Sequence, residues 1–130
     1  MSLDTTCSVV ALDNARTVTT PAAVMRTYAA PSGPATASVA VWRTEMSPDA
    51  TGPLHVVSED QVMVVIDGSL SVELADSSEG LGAGSAVVLP AGIPRRVTAG
   101  PDGAVVVVAS RPGATARVGD GDPVVVPWAS

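Results

Sequence analysis

The chain has 130 residues, a formal net charge of −6, and seven basic residues that are all arginine. That length suits one domain able to bury a core without disulfides, and the single cysteine, Cys7, excludes an intrachain disulfide or a cysteine-rich zinc site. An acidic chain in which only Arg95 and Arg96 are adjacent cations is not built to track phosphates, so no nucleic-acid partner is expected.

Phenylalanine is absent and the aromatic side chains are Tyr28, Trp42 and Trp128, so the core must be filled by Val, Leu, Ile, Met and Ala. β-Branched valine favours pleated sheet over helix. The first twenty residues are Thr-rich and weakly patterned, and are expected to form an N-terminal arm, with the domain proper over residues 21–130. After a turn cluster at 31–34 comes a strand over 37–46, then a second turn cluster at 49–53. Residues 58–61 are polar enough for a loop, and the strands 61–66 and 70–74 are expected to meet in a tight hairpin at Asp67-Gly68. A turn at 80–84, a strand over 86–89, a turn at 100–103, a strand over 104–110, a turn at 119–122 and a strand over 124–126 complete the series. No segment carries a sustained helical period, and short strands between regular turns predict an all-β sandwich or barrel. The four valines at 105–108 form a run expected to be covered on both faces, which points to a homodimer. The apolar runs are too short to cross a bilayer and no basic stretch leads into an apolar segment at the N-terminus, so a cytoplasmic protein without membrane contact is expected.

Two constellations, Gly52, His55, Val57, Gln61 and Gly68, then Gly84, Pro90, Gly92, Arg95 and Ala99, resemble the two motifs of the cupin family. The resemblance covers residues 42–97 and implies a single-domain cupin-type β-barrel, a double-stranded β-helix or jelly roll. The glycine and proline frame of the second motif is intact, whereas the gap between Gly52 and His55 is shorter than in the family. The family's metal ligands, His, His, Glu and His, fall on His55, Val57, Gln61 and Arg95, so only His55 keeps the expected side chain. A transition metal needs about three or four converging donors, which one imidazole and one neutral amide do not supply. Val57 has no donor atom, and the permanent cation of Arg95 would repel a metal. No metal and no other cofactor is therefore expected.

Side chains alternate along a strand, so an inward Gln61 brings Met63 with it, and an inward Arg95 brings Val97. With the family geometry as guide, His55, Val57, Gln61, Met63, Arg95 and Val97 line one cavity, apolar with three polar groups at one end. On the strand ending at Met46, either Trp42, Thr44 and Met46 or Val41, Arg43 and Glu45 face that cavity, the first set being the more apolar, with Trp42 as a flat wall. Arg95 suits a carboxylate, enolate or phenolate oxygen, and His55, kept neutral by a neighbouring arginine, suits proton transfer. Tyr28 is a further candidate acid or base whose orientation nothing local fixes, and Trp128 is expected to anchor the C-terminal tail. Plainer roles stand beside these: Met63 as core filler, Gln61 bonded to a neighbouring strand, Arg95 at the rim paired with Glu59 or Asp60. The expected function is a metal-independent tailoring isomerase, cyclase or lyase acting on a small organic molecule with a carbonyl or carboxylate. The alternative is a non-catalytic small-molecule-binding or structural module.

Overall fold

The computed structural model describes residues 7–130, which form eleven β-strands and two short 3-10 turns with no α-helix. The strands are β1 (Arg16–Thr19), β2 (Val24–Ala30), β3 (Ala35–Thr36), β4 (Ala40–Met46), β5 (His55–Val57), β6 (Gln61–Glu73), β7 (Ser78–Gly82), β8 (Ala86–Leu89), β9 (Arg96–Ser110), β10 (Thr115–Val118) and β11 (Val124–Val125). One sheet runs β1-β2-β4-β9-β6-β7, with β3 added to β2 and β8 to β6, and a smaller sheet runs β11-β10-β5. All pairings are antiparallel except β2 with β3. An isolated antiparallel bridge between His55 and Arg95 stitches the small sheet to the start of β9.

The hairpin expected at Asp67-Gly68 is not there. β6 runs unbroken from Gln61 to Glu73, and its two halves pair with β9 rather than with each other. The Asp-Gly pair instead bends the strand: Gly68 adopts φ 73° and donates its N–H to Asp67 Oδ1 at 3.0 Å. A Cβ on Gly68 would lie 2.1 Å from the carbonyl oxygen of Gly103, which itself has φ 80°. The turn expected at 100–103 is the other half of this bend, an excursion within β9 opposite residue 69 of β6. Turn residues thus carry two long strands around the barrel corner, since positive φ and close backbone approach serve a bulge as well as a hairpin.

Strands β1, β2, β3, β5, β7 and β10 are not announced by valine runs, because short or half-exposed strands tolerate polar residues on one face. β1 lies within the expected N-terminal arm and pairs along its whole length with β2, so the boundary after residue 20 falls in the turn between two strands of one sheet. The first six residues of that arm lie outside the described residues. The core alternates as a pleated sheet must: Met63 and Val65 point inward from β6, Val106 and Val108 from β9, and Trp42 and Met46 from β4. On the opposite face Val105 and Val107 are half-buried, while Val62, Ile66 and Val88 are exposed. Among the described residues no helix is long and apolar enough to cross a membrane.

Candidate functional site

Three of the side chains at the motif positions converge where β5, β6 and the start of β9 meet. His55 opens β5, Gln61 opens β6, and the backbones of His55 and Arg95 exchange both N–H to O=C bonds at 2.9 Å. Directly opposed residues of an antiparallel bridge project to the same side, so imidazole and guanidinium leave the backbone together. From there they part.

Arg95 turns under the wall. It is 0% exposed, and its guanidinium donates to the carbonyl oxygens of Ile93 at 2.8 Å and Pro90 at 2.5 Å and to Gln61 Oε1 at 3.1 Å. The group expected to grip a ligand therefore does not reach the cavity; it staples the connection between β8 and β9 from below. The rim pairing is not observed either: no carboxylate forms an ion pair with Arg95 among the described residues, and Asp60 instead accepts the Ala91 N–H at 2.8 Å. Burial lowers the guanidinium pKa, opposed by the charge of Asp60.

Gln61 is buried at 6% exposure, and its orientation follows from its partner. A guanidinium only donates, so Oε1 faces Arg95 and the amide NH₂ faces away from it. His55 is fixed likewise. Its Nδ1 lies 2.9 Å from the Pro53 carbonyl oxygen, which only accepts, so Nδ1 carries the proton and Nε2 keeps a free lone pair. Burial lowers the His55 pKa below the ordinary imidazole value; the bond to Pro53 opposes this and the Arg95 charge adds to it. The lowered pKa favours the neutral imidazole.

Both groups line two neighbouring chambers. One of about 140 Å³ is walled by Trp42, Thr44, Met46, Met63 and Val97, and a second of about 520 Å³ by Pro21, Thr51, Val57, Ala116 and Val118. Ala23, Met25, His55, Gln61 and Trp128 belong to both, so the imidazole and the amide border each chamber. Of the two alternatives for β4, the face with Trp42, Thr44 and Met46 points in. Tyr28 lines neither chamber; it sits at the bulge between Thr27 and Ala29. Met25 and Trp128 were not expected as walls. Trp128 is held over the cavity because Thr27 Oγ1 donates to its carbonyl at 2.7 Å and Arg16 donates to Pro127 O at 3.0 Å, contacts spanning about a hundred residues that no local pattern announces.

The residues at the family's ligand positions do not fit a transition metal. Among the described residues no three His, Cys, Asp or Glu side chains come together, and the Gln61 oxygen is already engaged by a cation.

The all-β arrangement of mainly antiparallel strands is the cupin fold. Oxalate decarboxylases, a DMSP lyase and a polyketide cyclase, all cupin-fold proteins, are among its structural neighbours. A single-substitution variant of Bacillus subtilis oxalate decarboxylase matches with a TM-score of 0.70 and 18% identity, over 93% of this chain and 34% of its own. The polyketide cyclase RemF from Streptomyces resistomycificus matches at 0.69 and 22% identity, over 82% and 80% of the two chains. A structure from a study of DMSP lyases matches at 0.68 and 22%, over 75% and 53%. The chain spans about a third of the length of the oxalate decarboxylases it resembles. No protein-family model and no curated protein matches its sequence.

Proposed function

We propose that this chain is a metal-independent tailoring enzyme of the cyclase, isomerase or lyase type, acting by proton transfer on a small carbonyl compound held in the barrel. The observation that carries the reading is the imidazole of His55, its Nδ1 engaged by Pro53 and its Nε2 free, on the wall of a mostly apolar cavity. The donor set supports a metal-free route, and the likeness of the fold to a polyketide cyclase and a DMSP lyase fits the reaction class. Since Arg95 is withdrawn beneath the wall, a carboxylate on the substrate has no direct counter-ion, and the reading narrows to an uncharged carbonyl compound.

The reading includes a cytoplasmic setting, which the single free cysteine fits, and a homodimer formed through the uncovered face that bears Val62, Ile66 and Val88. It is tested with 2-tetralone, an uncharged bicyclic ketone, in D₂O. The protein should accelerate deuterium uptake at the carbon next to the carbonyl, with or without a chelator, and His55→Ala should remove the acceleration. Equal exchange by wild type and His55→Ala would overturn it.

A further inference from the structure

Arg95 is left with a role that neither ligand binding nor the metal motif explains. Its side chain is fully desolvated, yet the ion pairs among the described residues involve Arg26, Arg43 and Arg96, not Arg95. Two of its bonds go to backbone carbonyls, a purely architectural use. The third goes to Gln61, a residue that lines both chambers.

We propose that Gln61 and Arg95 work as one unit, an amide aimed and polarised by a buried cation, that stabilises the enolate oxygen formed when His55 takes a proton from a bound ketone. The inference rests on the reading of His55 as the base and deepens it. The cation can only receive the carbonyl end of the amide, so the NH₂ end is locked as a donor. A charge on Oε1 draws electron density from the nitrogen and makes its N–H bonds better donors, and a low dielectric strengthens both links of the chain. Bonds and charges balance. The C–H bond beside the carbonyl breaks, an N–H bond forms on His55 Nε2, the C–H electron pair becomes a carbon–carbon double bond, and the carbonyl π pair moves onto the oxygen. That oxygen accepts a hydrogen bond from Gln61 Nε2. Gln61 is then a catalytic residue, in the manner of an oxyanion-hole donor, and Arg95 is a positioning residue that never touches substrate.

The experiment uses 2-naphthol, a phenol whose anion mimics such an enolate and whose ionisation is followed by absorbance. Bound to the wild-type protein, its pKa should fall by about one unit or more relative to free 2-naphthol. Gln61→Glu keeps an acceptor for Arg95 but replaces the donor with a negative charge, so the bound pKa should rise above the free value. Arg95→Lys should retain part of the downward shift and Arg95→Met none. Arg95→Met also leaves two carbonyls without donors and can unfold, so Gln61→Glu, checked for native circular dichroism, carries the decision. A bound phenol with unshifted pKa, or a downward shift that survives in Gln61→Glu, would overturn the inference while leaving the cavity reading intact. Failure of 2-naphthol to bind at all would overturn both.

Discussion

Strand β6 is held in two different ways at two points seven residues apart. At Gly68 the constraint is backbone geometry: a positive φ and an approach to Gly103 that admits no side chain. At Gln61 the constraint is a side-chain network, in which Arg95 and the carbonyls of Pro90 and Ile93 decide which end of an amide meets the cavity. The first point shapes the barrel and is indifferent to chemistry. The second sets which polar group is presented to the cavity. A frame set by backbone geometry thus leaves the side chains at the cavity wall free to differ.

Substitution should separate the two. Gly68→Ala is expected to have the largest effect on folding, a loss of about 3 kcal/mol or more from strain and steric overlap, read as a lowered midpoint in urea unfolding. An unchanged midpoint would remove the bend from the account. Arg95→Met should cost about 2–4 kcal/mol in the same assay, because it leaves two part-buried carbonyls and the Gln61 oxygen without their donor. His55→Ala should invert the pattern. Its effect on stability should stay below about 1 kcal/mol, whereas ketone exchange should fall by about 100-fold, the scale of a lost general base.

The pH dependence sharpens the same contrast. With the folded-state pKa of His55 held below the ordinary value of 6.5, exchange should be level above that pH and should decline only at lower pH, as the imidazole protonates. The linked stability has the same sign: the unfolded chain takes up the proton first, so the contribution of His55 is full above the ordinary value and is lost as pH falls through the folded one. Proton NMR of the single histidine checks this, and a titration midpoint above 6.5 would refute it. The smallest effect is expected for Gly80→Ala, where a new methyl meets nothing within 4 Å and no positive φ is required. A change beyond about 0.5 kcal/mol there would show that glycines on this barrel matter for reasons other than the bend.

The valine runs and the glycine-proline frame made the barrel legible, because alternation and turn residues report directly on pleat and curvature. Asp67-Gly68 has the sequence of a hairpin but forms a bend, because the same dihedral freedom serves a turn and a bulge, and only long-range pairing with β9 distinguishes them. The motif spacing brought His55 and Gln61 to the cavity, and alternation from Gln61 brought Met63. It did not reveal that Arg95 turns away, since the competing acceptors are backbone carbonyls, which every residue carries. Trp128 was invisible as a wall because tertiary contacts from Thr27 and Arg16 fix the tail that carries it.

The proposed chemistry of this barrel runs on His55 without a metal. Elemental mass spectrometry of the purified chain, combined with 2-tetralone exchange before and after chelation, tests it most directly. The account predicts substoichiometric transition metal and exchange that survives chelation. Stoichiometric metal, together with exchange that disappears on chelation and returns when the metal is restored, would contradict it.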